Sequence, residues 1–296
     1  MENAGRISIL GLGLMGGSLG LALRHARYPG ARVGYARRPE VREAALKGGV
    51  VDEVYAEPAD AVRDAGLVIL CAPIYTIPEL LKSCRDALKP GALVTDVGST
   101  KTELAKTCAR ILKGRDASFV GSHPIAGSEK QGLDAAVENL YEGAMVVITP
   151  GRGGDEARVG LLESFWRSLG ADTRVMDPAT HDALMARTSH LPHLAAAALA
   201  LTVGREDKPA RTGLFCGTGF RSATRIADGS PDVWLDIVKS NHRALLGELK
   251  AYRERLDGFI DALEQADYER IRAGLEEGRR QRRELLKFFK KKQDDA

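Results

Sequence analysis

The chain has 296 residues, 44% of them hydrophobic and 28% charged. That composition is ordinary for a globular fold and excludes global disorder and collagen-like architecture. The net charge is +3, but residues 279–296 alone carry a net of +5 and leave −2 for the rest, so no domain offers the basic face that nucleic-acid binding requires.

At roughly 100–200 residues per domain, the length calls for two domains. The four cysteines, Cys71, Cys84, Cys108 and Cys216, form no CxxC pair or cluster, which leaves zinc and thiol-redox motifs nothing to rest on. The N-terminus runs straight into a strand-like segment without the apolar stretch of a secretory leader. No uncharged apolar run reaches the ~18 residues of a membrane span. The expected setting is therefore the cytoplasm, with no membrane and no nucleic acid as partner.

In chain order, short apolar runs occupy residues 6–10, 31–36, 67–72, 92–97, 118–121, 144–149 and 172–176, and amphipathic stretches at 77–88, 101–112 and 155–169 lie between several of them. Alternating strands and helices predict an α/β, doubly wound parallel sheet covered on both faces. The pattern changes at Asp177-Pro178, an N-cap followed by proline at the first helical position. Beyond it the sequence reads as helix almost throughout. Ser230-Pro231 repeats the start signal before one long pattern from Trp234 to Leu256, and a last helix is expected over about 265–289. The boundary is placed near residue 176, giving domains 1–176 and 177–296. The apolar helices after residue 177 exceed what a small helical domain needs to cover itself, so a twofold homodimer through this domain is expected. The basic tail reads as a solvated end to the last helix.

The first strand leads into Gly11-x-Gly13-x-x-Gly16, with Leu14 and Met15 opening the following helix. Behind a strand and ahead of a helix, this is a dinucleotide-binding turn: Gly11 for the turn, Gly13 for close approach to a pyrophosphate, Gly16 for helix–strand packing. The helix N-terminus supplies free N–H groups and partial positive charge for the phosphates. About 20 positions on, where an acid usually holds the ribose 2′-hydroxyl, stands Ala36, followed by Arg37 and Arg38. Two guanidiniums beside an uncharged residue suit a 2′-phosphate, so NADP is expected over NAD. Adenine stacking or simple solvation of the two arginines is the alternative.

Two further segments follow strand ends, DVGSTK at 96–101 and SHPIAGSEK at 122–130. In open parallel sheets ligands sit outside the carboxyl ends of the strands, so Ser99, His123 and Glu129 are expected at the nicotinamide mouth. Ser99 can also act as the N-cap of the helix after Gly98. In the helical half, Ser189, His190 and His193 lie within SHLPH at spacings that one helix face can carry. Pro192 withdraws the usual donor from the Thr188 carbonyl, and a kink there would make room for a ligand. No metal is expected, because His190-x-x-His193 lacks both the i, i+4 spacing and a carboxylate. Arg221 and Arg225 are four apart and suit a dianion. Arg225, beside Ile226 and Ala227, is expected to be the less solvated of the two, and Trp234 is expected in the core.

GLGLMGGS, DVGSTK, SHPIAGSEK, SHLPH and GFRSATRIA, in this order over about residues 6–260, resemble the prephenate/arogenate dehydrogenases of tyrosine biosynthesis. The resemblance implies a Rossmann domain followed by a helical dimerisation domain, and oxidative decarboxylation of a cyclohexadienol with transfer of a hydride to NAD(P). It makes His123 the catalytic histidine at the ring 4-hydroxyl and Ser99 its partner on that hydroxyl. It puts Ser189, His190 and His193 in the substrate pocket, Arg225 on a substrate carboxylate, and makes Glu129 a gating or ion-pairing acid. The residues themselves leave open arogenate in place of prephenate, a β-hydroxyacid dehydrogenase, and a nucleotide-sensing regulator without catalysis.

Overall fold

The computed structural model describes residues 5–126, 130–151, 155–205 and 209–288. The chain divides into two compact units, Met1–Asn241 and His242–Ala296. This division falls later than the change from sheet to helix at Asp177.

In the first unit the order is β1 (Arg6–Leu10), α1 (Leu14–His25), β2 (Ala31–Tyr35), α2 (Pro39–Lys47), β3 (Glu53–Tyr55), α3 (Pro58–Ala61), β4 (Ala65–Leu70), α4 (Ile77–Cys84), β5 (Ala92–Asp96), α5 (Thr102–Ile111), β6 (Ala117–Ile125), β7 (Met145–Pro150), α6 (Glu156–Ser168) and β8 (Asp172–Val175). The helices α7 (Pro178–Met185), α8 (Leu191–Val203), α9 (Pro209–Gly213), α10 (Thr218–Thr224) and α11 (Pro231–Ser240) follow. The eight strands form one sheet in the order β3-β2-β1-β4-β5-β6-β7-β8. Alternation along each strand feeds two cores. Ile7, Ile9, Leu67 and Ile69 pack with Leu19 and Leu23 of α1 on one face. Leu10, Val68, Leu70 and Val94 pack with Ile77 and Leu81 of α4 on the other. The strand order reverses at β1/β4, and such a reversal opens a crevice at the strands' carboxyl ends.

The sheet is not wholly parallel as expected, because β6 and β7 pair antiparallel. The reason lies in β6, which does not end at Gly121. After three parallel pairs with β5, ending at Val94–Phe119, it runs on through Ser122 and His123 and takes β7 as its partner, with His123 opposite Val147. The pattern also hides β3, three residues long and too short for an alternation to register. Arg6 ties it to β1 with two hydrogen bonds to Glu53, 2.8 and 2.7 Å.

Asp177 caps α7 as expected, its carboxylate accepting from Ala179 and Thr180 N–H at 3.0 Å. Ser230 makes no such side-chain bond to α11. The pattern expected as one helix to Leu256 breaks at Asn241, between α11 and α12 (His242–Glu264).

The second unit holds α12 and α13 (Tyr268–Lys287). Asp267 caps α13 by accepting from Arg270 N–H at 3.0 Å. The two helices meet where Gly274 leaves space for the ring of Phe259. Leu246, Leu256, Ile260, Leu263, Leu275 and Leu285 are exposed. Among the described residues no helix is long and apolar enough to cross a membrane.

Candidate active site

The first and third glycines of the turn pack as expected. Gly11 takes φ +111°, and a Cβ there would overlap the Cys71 carbonyl. A Cβ on Gly16 would overlap the Gly11 carbonyl, whereas one on Gly13 would meet nothing. The first and third glycines are thus spent on packing, and the second faces open space. Gly13 is the N-cap of α1 and no side chain caps the helix, which keeps its terminal N–H groups available to an anion. Leu14 and Met15 form the half-buried first turn, braced by the Tyr141 hydroxyl, which donates to the Met15 carbonyl at 2.7 Å.

Gly11 and Gly13 line a cleft of about 550 Å³ that reaches Tyr35, Ala36, Arg37 and Arg38. Ala36 is buried and both arginines are exposed. Their turn is held from behind by Arg42, whose Nη1 donates to the Ala36 and Arg37 carbonyls at 2.9 and 2.8 Å. Arg38 lies 3.6 Å from Glu40, with both side chains about two-thirds exposed, a pair of little energetic weight. These residues fit a dinucleotide: unpaired helix-terminal donors, a glycine permitting close approach, and cations at the far end.

His123 projects from β6 and is half-buried. Its Nδ1 lies 2.9 Å from Nε2 of His181 on α7, and the two rings meet edge to face. His181, fully buried, places its Nδ1 2.8 Å from Asp182 Oδ1. Asp182 also accepts the backbone N–H groups of Lys101 and Thr102, at 2.8 and 2.9 Å. A carboxylate from α7 therefore caps α5. Burial alone would raise the Asp182 carboxyl, but hydrogen bonds from His181, Thr102 and Lys101 bring it below the usual carboxylate range. Burial, and after it the Lys101 ammonium and the neighbouring rings of His181 and His190, hold His123 well below the ordinary histidine value of 6.5. His123 is accordingly neutral at neutral pH.

Behind this row lies a fully buried ion pair, Lys101 Nζ to Asp96 Oδ2. Burial raises the Asp96 carboxyl and lowers the Lys101 ammonium, each against the pull of the other. Asp96 also receives Gly98 N–H at 2.8 Å and Ser122 N–H at 3.3 Å. The Ser122 hydroxyl donates to the Asp96 carbonyl at 2.6 Å. This hub fixes the loop that carries Ser99 against the strand that carries His123.

Ser99 is half-buried and makes no hydrogen bond among the described residues. The capping role open to it belongs to Asp182. Ser189 and His190 end a π-helical turn, Ala186–His190, that runs into α8; wide turns of this kind are frequent at functional sites. Pro192 stands in the first turn of α8. His190 is buried, with its Nδ1 3.2 Å from the Asn241 amide. Burial pushes it down to about 4. His193 stacks on Trp234 at 3.5 Å and 12°, and its buried Nδ1 lacks a partner among the described residues. Trp234 is half-buried, not a core residue, because it covers the two histidines.

Arg221 and Arg225 line one cavity of about 650 Å³ with Ser222 and Thr224. Both are exposed, so the greater shelter expected for Arg225 is not present: Arg225 opens a 3₁₀ turn in which no residue is buried. Glu129 lies outside the described residues.

Sequence reasoning missed His181, Asp182, Asn241 and the Asp96–Lys101 pair. His181, Asp182 and Asn241 act across fold-level distances, with 58 residues separating His123 from His181, and no spacing rule reaches that far; Asp96 and Lys101 are only five apart, but their pairing depends on a burial that the segment alone does not reveal. The available signal was an adjacent His-Asp pair in the second turn of a capped helix.

The family described as "Prephenate dehydrogenase, nucleotide-binding domain" matches residues 19–175, and "Prephenate dehydrogenase, dimerization domain" matches 177–277. The chain is 35% identical over 268 residues to a prephenate dehydrogenase of Bacillus subtilis, covering 90% of this chain and 72% of that one. The crystal structure of prephenate dehydrogenase from Aquifex aeolicus, in complex with hydroxyphenyl propionate and NAD+, superposes with a TM-score of 0.88 at 33% identity, over 95% of this chain and 98% of that one. That of Synechocystis arogenate dehydrogenase gives 0.81 at 32%, over 95% and 99%. With an open glycine cradle at the switch point, a neutral histidine held by a buried His-Asp pair, and two domain matches that adjoin at residues 175 and 177, the chain belongs to the prephenate dehydrogenase family of NAD(P)-dependent oxidoreductases.

Proposed function

We propose that this enzyme converts prephenate to 4-hydroxyphenylpyruvate by oxidative decarboxylation and prefers NADP. The observation that carries the reaction is His123: neutral, held by one ring nitrogen, and with Nε2 free of partners among the described residues. The nicotinamide, when bound, accepts the hydride from C4 of the ring. His123 Nε2 takes the proton of the C4 hydroxyl as that oxygen becomes a carbonyl. The ring carboxylate then leaves as carbon dioxide, and its bonding electrons pass into the ring and on to the C4 oxygen. His123 returns its proton there, so the phenol forms with no net proton change. Ser99, with its hydroxyl uncommitted, orients the same oxygen. Ser189, His190 and His193 wall the ring, and the partnerless His193 Nδ1 offers it a polar contact. Arg221 and Arg225 hold the carboxylates, with Glu129 as a gating or ion-pairing acid. The helices from Asp177 onward serve as the substrate and homodimer module.

Preference for NADP rests on Ala36, which cannot bond a 2′-hydroxyl, and on two exposed cations whose turn Arg42 holds in place. Following reduced-cofactor formation with prephenate, arogenate and a panel of β-hydroxyacids tests the whole reading. Faster turnover of arogenate or of a hydroxyacid would replace it, and tight cofactor binding without turnover would favour a sensor.

A further inference from the structure

The row His123–His181–Asp182 ends on a group with no freedom to donate. Asp182, held ionised by its hydrogen bonds, is an acceptor only, and it already receives two backbone N–H groups of the α5 terminus. The 2.8 Å contact to His181 Nδ1 therefore requires a proton on that nitrogen. A neutral imidazole protonated at Nδ1 has its lone pair at Nε2. In the uncharged His181 ring that lone pair faces His123 Nδ1 at 2.9 Å, which then carries the proton of the neutral His123. Its Nε2 is left bare.

We infer that His181 and Asp182 are positioning residues that set the tautomer of His123, so that the nitrogen left free is always the one able to accept a proton. The inference rests on the proposal that His123 is the general base, and it explains how a ring with two equivalent-looking nitrogens presents the correct one. The opposite tautomer would turn an N–H toward the substrate hydroxyl and could take no proton from it. Fixing a histidine tautomer through a buried acid is worth orders of magnitude in rate in hydrolases that use one. Here the acid acts at one remove, through a second imidazole. The charge that appears on His123 when it is protonated is delocalised along the same row toward Asp182. Asp182 also joins three segments of the site: β6 through the two rings, α7 through its own backbone, and the Ser99 loop through Lys101 and Thr102 N–H. The charged and titratable groups facing His123 are Lys101 from the loop ahead of α5, His181 from α7 and His190 from the π-helical turn, with Asp182 behind His181. Lys101 is engaged by Asp96, and His190 is pushed down to about 4. That leaves the His181–Asp182 pair to decide where the proton of His123 sits.

The tautomer can be read without turnover. In the ¹⁵N spectrum of the intact, histidine-labelled enzyme at neutral pH, His123 (assigned by its loss in His123→Asn) should show a protonated Nδ1 and an unprotonated Nε2. The reverse pattern overturns the inference and leaves the proposed reaction untouched, while failure to oxidise prephenate would leave the tautomer reading intact. Kinetics give a second test. His181→Leu should lower kcat by about 100-fold or more with dinucleotide affinity little changed. His181→Gln, whose amide nitrogen can donate to Asp182 and whose oxygen can accept from His123, should recover about tenfold of that loss. Equal losses in the two variants, following their melting temperatures, would reduce His181 to a packing residue. If His181→Leu does not fold, the spectrum of the wild-type enzyme decides alone.

Discussion

The two halves of the active site are finished to different degrees within one chain. On the dinucleotide side, β1, β4 and β5 bury Ile7, Ile9, Leu67, Ile69 and Leu93 to 1% exposure or less, and the glycine turn sits on that floor with its packing contacts already made. On the side of the arginine-lined cavity, between Pro209 and Ser240, Ile237 is the one buried side chain among the described residues. Leu214 and Phe215 are each 85% exposed, and both arginines of the cavity stand in solvent. The first half needs only a ligand to complete it. The second has apolar surface and cations that a charge-assisted contact of useful strength requires to be covered. A second copy of the chain is the cover consistent with the dimerisation-domain match over residues 177–277.

The largest expected effect breaks the chemistry while sparing the finished half. His123→Asn should lower kcat by about 100-fold or more, with dinucleotide affinity, measured by fluorescence titration, unchanged. In the wild type the acid limb of kcat should lie below pH 6.5, because burial and Lys101 hold His123 below that value, and the variant should lose the limb. Unaltered kcat would remove His123 from the reaction.

A second prediction concerns acid stability. His190 falls to about 4 and His193 also falls, both through burial first. A folded-state pKa below the unfolded value means that the unfolded chain binds protons first. The stability contributed is therefore complete above about pH 6.5 and is lost as pH falls from there through about 4. His190 alone would account for roughly 3 kcal/mol over that window. Denaturant midpoints at pH 8, 6.5 and 5 should fall in that order, and His190→Asn should flatten the fall. A wild-type midpoint that is flat from pH 8 to 5 would show the histidines to be solvated.

The unfinished half can be tested by covering or stripping it. Light scattering should give a particle of twice 31.9 kDa, and Arg225→Ala, at the position that the family resemblance puts on a substrate carboxylate, should raise KM for prephenate about tenfold, the scale of a charge-assisted hydrogen bond, with a smaller rise for Arg221→Ala, to which the resemblance gives no such contact. A 31.9 kDa species at micromolar concentration, or the opposite ranking of the two arginines, would mean that the cavity is a surface feature of each chain.

What the sequence made legible follows the same division. The glycine turn, β1 and the cap of α7 are local: a motif of six residues, an alternation of five, one carboxylate reaching two residues on. Their positions came out at or within a residue or two of the expected ones. The antiparallel turn of β6 did not, because which strand pairs with the far end of Ser122–Ile125 is decided by β7 and not by β6 itself. Ser99 was read as a possible cap because local rules favour a serine before a helix. The group that caps α5 is Asp182, 80 residues from Thr102. Trp234 was expected in the core on residue type alone, but its place is set by the histidines it covers.

The smallest effect is expected at the edge of the finished half, where the cleft meets solvent. Ala36 leaves the ribose 2′ position without an acid, and Arg37 and Arg38 supply two positive charges against a phosphate carrying close to two negative ones. Their exposure limits what those charges can contribute, since ion pairs in open solvent are worth at most about 1 kcal/mol. Arg38 is also shared with Glu40 at 3.6 Å. A preference for NADP of about fivefold in kcat/KM follows, and it should shrink as salt rises because the turn lies within reach of counterions. Arg42 sharpens the argument. By holding the Ala36 and Arg37 carbonyls it keeps the turn in one shape without facing the phosphate as a third cation, so Arg42→Ala should erode the preference by loosening the turn, and Arg37→Ala with Arg38→Ala by removing the charge. The first loss should be nearly independent of salt, and the second should vanish at high salt, where the wild type has already lost the same contribution. Equal kcat/KM for NAD and NADP in the wild type at low salt would show that the two arginines serve as an adenine platform or are simply solvated, and that the absence of an acid at Ala36 decides nothing.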